Sequence, residues 1–337
     1  MTTRVGFREG RAEDKMRRNW DGDGPRPLTW AAWYPAADDS VEKGQLIGSA
    51  DAPWFKLGSA AREAPLAGRE RSYPVVLLSH GTGGVALGME WLGRRLAQRG
   101  FIVLAVNHHG NTGLELYRAE GFLCLWERAR DLSVLLDVME SESEFAGRLD
   151  RDRVFVAGFS AGAYTAVALL GAVTTFSRFQ PVGLRPAAVP GPREFPGLAD
   201  LVPALLERNA VFRDSWSRMS ESYRDGRVKA ALVCAPGRSV LSFSEESLAR
   251  IQTPVQIVVG GADKIAPVEE CSAWLHKRLR ASRLEILPDA GHYVFAPEPT
   301  EARRRAEPEV WVDAPTVDRR AVHEKVATLA AELFQAV

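Results

Sequence analysis

Arg153-Val154-Phe155-Val156-Ala157-Gly158-Phe159-Ser160-Ala161-Gly162-Ala163-Tyr164-Thr165-Ala166 decides the reading of this chain. A short apolar run meets Gly-x-Ser-x-Gly and passes into a run of small helix formers. Alone, Gly-x-Ser-x-Gly is a weak pattern in a chain with 29 glycines. Between a strand and a helix it describes a turn that holds its central residue in a strained conformation. Glycines two positions away on either side keep neighbouring chain clear. The serine oxygen then stands above the sheet beside the free N–H groups of the helix start. Ser160 therefore reads as a nucleophile for acyl compounds.

The rest of the chain sets the frame. Its 337 residues are 46% hydrophobic and 26% charged, enough for a substantial core. We read residues 1–337 as a single domain. Lys+Arg and Asp+Glu are both 43, and no long basic run occurs. A nucleic-acid or anionic-membrane partner therefore has no support. Met1–Trp20 lacks the apolar core of a secretory signal. The uncharged stretch Val154–Ser177 is long enough to span a membrane. Gly158, Ser160 and Gly162 interrupt it, and strand, turn and helix account for it better. Cys124, Cys234 and Cys271 form no metal-type cluster and read as reduced, buried thiols of a cytoplasmic protein. No metal or cofactor is expected.

Outward from Ser160, strand and helix alternate. Thr29–Tyr34 reads as an early strand, and Asp38–Arg71 as irregular. Tyr73–Ser79 and Phe101–Val106 are continuous apolar runs typical of central parallel strands. Helices are expected near Gly88–Arg99 and over Phe122–Met139, where apolar residues recur at helical spacing. After Ala161–Leu170, the segment Gln180–Asp225 breaks the alternation with Pro181, Pro186, Pro190, Pro192, Pro196 and Pro203. We read 180–225 as a cap or lid insertion, with helices around Leu198–Arg208 and Val211–Tyr223. Alternation resumes with strand Val228–Cys234, helix Glu245–Arg250, strand Val255–Val259, helix Val268–Leu279 and strand Arg283–Leu287. A closing helix is expected over Val317–Ala336. The pattern implies an α/β fold: a mostly parallel central sheet with helices on both faces. Ligands of such sheets bind beyond the carboxyl ends of the strands. Ser79–Gly84, Asn107–Thr112, Ser160, Asp263 and His292 all follow strands, so they should meet at one rim.

A serine needs a base to take its proton, and histidine suits that task near neutral pH. His276 and His323 lie on charged helix faces and read as solvated. His80 sits in a glycine turn, and His108 and His109 follow a strand. His292, in Pro288-Asp289-Ala290-Gly291-His292-Tyr293, lies just past the last strand in a tight loop, and is the expected base. Asp263 follows Val255–Val259 and gives the order Ser160, Asp263, His292. Asp289 is too close in sequence to His292 to reach its far ring nitrogen. The position one strand earlier, Ala235-Pro236-Gly237-Arg238, offers no carboxylate. An oxyanion hole is expected from the backbone N–H of Ala161 and of Thr82, with Gly81 and Gly83 as alternatives to Thr82. Ser79-His80-Gly81-Thr82-Gly83-Gly84 lacks the Gly-Lys-Ser/Thr ending of a phosphate loop.

Ser-His-Gly-Thr-Gly-Gly, Gly-Phe-Ser-Ala-Gly, Gly-Gly-Ala-Asp-Lys-Ile-Ala-Pro and Ala-Gly-His-Tyr together resemble the α/β-hydrolase superfamily. Within it the chain looks like the branch of predicted dienelactone hydrolases and platelet-activating-factor acetylhydrolase-like esterases. Trp33-Tyr34-Pro35-Ala36, Val106-Asn107-His108-His109-Gly110 and the Arg130–Asp137 helix agree. Dienelactone hydrolases carry a cysteine nucleophile, and Ser160 departs from that. His109 replaces the proline of the branch's His-Pro-Gly. The resemblance implies an α/β-hydrolase fold and a serine hydrolase cleaving a small or apolar carboxylic ester through an acyl-enzyme. Amide, thioester or lactone hydrolysis would use the same residues. A non-catalytic ligand-binding protein on this fold would need a degraded triad. A dehalogenase or epoxide hydrolase would need a carboxylate at Ser160. His109 and Trp216 are carried as candidate substrate contacts. Trp54, Phe55, Trp91, Trp126, Phe176, Phe179 and Phe212 are residues of either a pocket or the packing. Oligomeric state is open.

Overall fold

A computed structural model describes residues 3–141, 144–180 and 190–337. Its frame is a sheet of eleven strands among the described residues. These are β1 (Val5–Arg18), β2 (Pro25–Pro35), β3 (Lys43–Gly48), β4 (Pro53–Arg62), β5 (Tyr73–Ser79), β6 (Ile102–Asn107), β7 (Leu149–Phe159), β8 (Val228–Cys234), β9 (Val255–Gly260), β10 (Ser282–Leu287) and β11 (Glu298–Pro299). The order across the sheet is β10-β9-β8-β7-β5-β6-β2-β1-β4-β11, with β3 paired to β4. The six strands from β10 to β6 run parallel, and β2 joins β6 antiparallel.

The parallel strands are apolar because both faces are covered. Along β5, Tyr73, Val75 and Leu77 enter one core while Val76 and Leu78 enter the other. Along β7, Val154 and Val156 alternate in the same way with Phe155 and Ala157. The first core is closed by helices Glu127–Ser141, Ala161–Leu169, Glu245–Arg250 and Ser272–His276. The second is closed by helices Glu90–Ala97 and Arg319–Gln335. This alternation fixes register, since a slip by one residue would exchange every side chain between the cores.

The amino-terminal third differs from the sequence reading. β1 has few apolar residues, yet it pairs with β2 along most of its length. The reason lies across the ladder. Gly6 and Gly10 face Tyr34 and Trp30, and a Cβ at either glycine would meet those rings at 2.2 and 2.5 Å. The aromatic rings of β2 thus supply the apolar cover that β1 lacks. Asp38–Arg71, expected to be irregular, contains β3 and β4. The helix expected over Phe122–Met139 is two helices, Ala119–Leu123 and Glu127–Ser141. That expected over Val268–Leu279 shortens to Ser272–His276.

Residues 181–189 of the 180–225 insertion lie outside the described residues. Its remainder forms helices Val202–Arg208 and Ala210–Ser217. Val202 and Phe212 of these helices, with Leu198 of the short 3-10 turn before them, pack onto Trp20, Phe122, Leu123 and Trp126. Trp126 Nε1 donates to Ser215 O at 3.0 Å, and Ser215 Oγ donates to Glu127 at 2.6 Å. No helix among the described residues is long and apolar enough to cross a membrane.

Candidate active site

Ser160 stands between β7 and the helix Ala161–Leu169 with φ 54° and ψ −112°. A non-glycine residue at positive φ is strained and persists only where its surroundings enforce it. Here the Ser160 N–H donates to Cys234 O at 2.9 Å, which continues the pairing of β7 with β8 past the strand end. Close packing does the rest. A Cβ at Gly158 would lie 2.0 Å from Gly162 O, and one at Gly162 would lie 2.0 Å from Ser79 O. The two glycines therefore let the helix start touch both its own strand and the end of β5.

Three of the expected residues converge. Ser160 Oγ is 3.1 Å from His292 Nε2, and His292 Nδ1 is 2.6 Å from Asp263 Oδ2. The carboxylate can only accept, so Nδ1 carries the proton and Nε2 is left to accept from the Ser160 hydroxyl. Asp263 Oδ1 accepts the N–H groups of Ile265 and Ala266 at 2.9 and 2.7 Å, which fixes the carboxylate. Asp263 and His292 are buried, and the His292 ring lies against Phe159 at 4.9 Å between centroids. Asp289 turns elsewhere and accepts from Thr316 Oγ1 at 2.8 Å.

Thr82, Ser160 and Ala161 line one cavity of about 460 Å³. No acceptor among the described residues engages the N–H of Thr82 or of Ala161. Trp126, Phe176 and Phe179 line the same cavity, and so do Pro190, Gly191 and Leu198 of the insertion. Trp54 is instead exposed, and Phe55, Trp91 and Phe212 pack in the interior.

His109 and Trp216 are not at this cavity. His109 Nε2 accepts the Trp20 N–H at 3.3 Å and its Nδ1 faces Glu115 at 2.9 Å. Trp216 packs its ring on Trp126 and Phe212. Both residue types suit a substrate, but local partners consume them. His323 also departs from expectation: it is buried, stacked on Trp91 at 4.2 Å, and donates to Val294 O at 2.8 Å. Burial pushes its pKa down to about 3.

Beneath the Ser79–Gly84 loop lies a buried polar network that the sequence reading missed. Ser79 Oγ is 2.9 Å from His108 Nε2, and His108 Nδ1 is 3.0 Å from Asp131 Oδ2. Burial favours the neutral form of Asp131, but Arg26 and Arg17 hold its carboxyl well below the usual range. They reach Asp131 Oδ1 at 2.8 and 2.7 Å. Burial and the nearby Arg128 push His108 down to about 3, so its ring is neutral. His80 is neutral for the same reasons, donating from Nδ1 to Gly81 O and accepting the His108 N–H. Arg128 Nη2 donates to His80 O and to Ser79 Oγ. These bonds fix the chain just before Thr82. Only the sheet topology brings β1, β2 and the helix Glu127–Ser141 together here, so no local spacing announces the network.

Cys124, Cys234 and Cys271 are free and buried. Among the described residues no group of three His, Cys, Asp or Glu side chains could hold a metal ion.

Comparison with known proteins agrees with this fold. A stretch of 86 residues is 41% identical to a putative non-heme chloroperoxidase of Synechocystis sp., covering 26% of this chain and 29% of that protein. Another of 93 residues is 33% identical to cutinase est1 of Thermobifida alba, covering 27% of this chain and 28% of that protein. The chain thus spans under a third of the length of the curated relatives it matches. A ferulic acid esterase from Streptomyces cinnamoneus superposes with a TM-score of 0.66 at 20% identity, over 100% of this chain and 90% of that one. The alpha/beta hydrolase family model matches residues 75–306, from β5 past the His292 loop and over more than half of the sequence. The chain belongs to the alpha/beta hydrolase family.

Proposed function

We propose that this protein is a serine carboxylester hydrolase acting through an acyl-enzyme. The observation that carries the proposal is the unbroken hydrogen-bond chain from Asp263 through His292 to a strained Ser160 that opens into a cavity. In this reading His292 Nε2 takes the Ser160 proton as Oγ attacks the ester carbonyl carbon. Asp263 holds the ring and stabilises its charged form. The Thr82 and Ala161 amides receive the oxyanion, which is the larger part of the rate enhancement. His292 then passes its proton to the departing alcohol. Water enters, loses a proton to His292 and releases the acid.

The Thermobifida alba cutinase relative supports an ester as the bond. The motif set resembles the dienelactone hydrolase and platelet-activating-factor acetylhydrolase-like branch and points the same way. Residues 180–225 act as a cap: Pro190, Gly191 and Leu198 line the cavity, and the two cap helices are anchored on Trp126 and Glu127. The test is Ser160→Ala with p-nitrophenyl butyrate and a fluorophosphonate probe. Loss of both turnover and labelling, with the thermal transition retained, is expected. Turnover at the wild-type rate in Ser160→Ala refutes the proposal.

A further inference from the structure

The cavity at Ser160 is unbalanced in charge. Two arginines line it, Arg178 and Arg238, and no carboxylate does. Arg238 is accounted for. Its Nη2 meets Glu270 Oε2 at 2.7 Å and its Nη1 donates to Ile265 O at 3.0 Å. Arg178 differs: no hydrogen bond or ion pair engages its guanidinium among the described residues. Residues 181–189, which follow it in the chain, contain no Asp or Glu. The run from Val154 to Arg193 is in fact free of acids, which is the sequence signal that would have drawn attention here.

The position is close to the chemistry. A Cβ built on Gly237 would lie 3.5 Å from Ser160 Oγ, so the turn that carries Arg238 abuts the nucleophile. Burial, and then repulsion from Arg238, act against the charge on Arg178 and lower its pKa, outweighing the smaller attractions of Cys271 and of Glu270, whose carboxylate is already paired with Arg238. An unpaired arginine in open water is ordinary. A half-buried one set against a second guanidinium, in a cavity without an acid, is a cation awaiting an anion. The aromatic wall of Phe176, Phe179 and Trp126 would cover the apolar body of such a ligand. A planar guanidinium matches a carboxylate in two parallel hydrogen bonds.

We infer that the preferred substrate is an ester that itself carries a carboxylate, and that Arg178 binds that group. This rests on the serine esterase reading above. The closing experiment separates the two. Mono-p-nitrophenyl glutarate and p-nitrophenyl valerate have acyl chains of equal length, one ending in a carboxylate and the other in a methyl group. The readout is the ratio of their kcat/KM values in the wild type, Arg178→Met and Arg178→Lys. The ratio is expected to fall by about tenfold in Arg178→Met, chiefly through KM, and to recover in part in Arg178→Lys. A ratio unchanged within about twofold overturns the inference. Ser160→Ala is the blank: if turnover of both esters survives in it, the esterase reading fails. The anion reading is then decided by calorimetric titration with phenylpropionate. Binding that weakens about tenfold in Arg178→Met upholds it, and equal or absent binding in both proteins overturns it.

Discussion

Replacing Gly162 by alanine tests the geometric core of the proposed site without touching a reacting group. A Cβ at this position would lie 2.0 Å from Ser79 O, 2.6 Å from Ser79 C and 2.9 Å from His80 O. Ordinary van der Waals contact begins at 3.4 Å, so one side must retreat by 1.4 Å. Ser79 cannot easily move. Its strand pairs with β6 on one side and β7 on the other, and its hydroxyl is held by His108 and Arg128. The helix Ala161–Leu169 must therefore shift, carrying Ser160 and the Ala161 N–H away from the Thr82 loop. A misplacement of about 1 Å in a reacting array costs about a hundredfold in rate. Overpacking adds a stability loss of roughly 1–3 kcal/mol. The assay is kcat/KM on p-nitrophenyl butyrate beside the thermal transition. Gly44→Ala serves as control, because a Cβ on Gly44 of β3 meets nothing within 4 Å. The expected result is a loss of about a hundredfold in a folded Gly162→Ala protein and none in the control. Activity within about threefold of wild type refutes the reasoning that this contact sets the distance between nucleophile and oxyanion donors.

Asp263→Asn keeps an acceptor for the Ile265 and Ala266 N–H groups but turns an amide N–H toward His292 Nδ1. The ring must then carry its proton on Nε2, where it cannot accept from Ser160. By analogy with serine hydrolases, kcat on p-nitrophenyl butyrate should fall by up to about four orders of magnitude. A loss of tenfold or less, on the order of 1.4 kcal/mol, assigns the role to another acid. Acid should also unfold the protein through its buried neutral histidines. His108 and His323 have folded pKa values of about 3, against about 6.5 in an unfolded chain. The unfolded state then binds more protons below pH 6.5. Stability is therefore full above about pH 6.5 and is lost as pH falls toward 3, at up to about 1.4 kcal/mol per pH unit for each ring. Denaturant titrations of His323→Phe between about pH 6 and pH 4 should lose one ring's share of that slope, and slopes parallel to wild type would exclude the account.

What was legible in the sequence was local. The elbow at Ser160 needs an apolar strand, two glycines and a small-residue helix within fourteen consecutive residues. That Asp263 and His292 would meet Ser160 was readable because each follows a strand end, and the parallel sheet gathers strand ends at one rim. β8 and the helix Glu245–Arg250 matched their expected limits for the same reason, since continuous apolar runs and a Ser244 cap are local signals. β1 was missed because its cover comes from Trp30 and Tyr34 across the ladder. His323 was misjudged because charged neighbours in sequence say nothing about Trp91, which covers its ring. His109 and Trp216 lie away from the Ser160 cavity for a related reason: residue type suggested a substrate contact, while their rings pack on Trp20, Trp126 and Phe212.

Among the described residues are two serine–histidine–aspartate chains of nearly the same dimensions, and their difference sharpens the proposal. Ser79, His108 and Asp131 are linked at 2.9 and 3.0 Å, while Ser160, His292 and Asp263 are linked at 3.1 and 2.6 Å. Distances alone would not choose between them. Ser79 ends a regular strand, is fully buried, and has its oxygen engaged by Arg128 as well as His108. No substrate carbonyl can approach it. Ser160 occupies a strained turn and faces a cavity, and no acceptor among the described residues engages the Thr82 and Ala161 amides beside it. The buried chain has a different use, since it immobilises the residues that lead into Thr82. Loosening it should therefore alter oxyanion stabilisation and leave nucleophile ionisation alone. A Ser79→Ala protein should accordingly lose kcat on p-nitrophenyl butyrate while the pH profile of its kcat/KM keeps the wild-type shape. A shifted profile would show that the two chains are coupled through more than the loop between them.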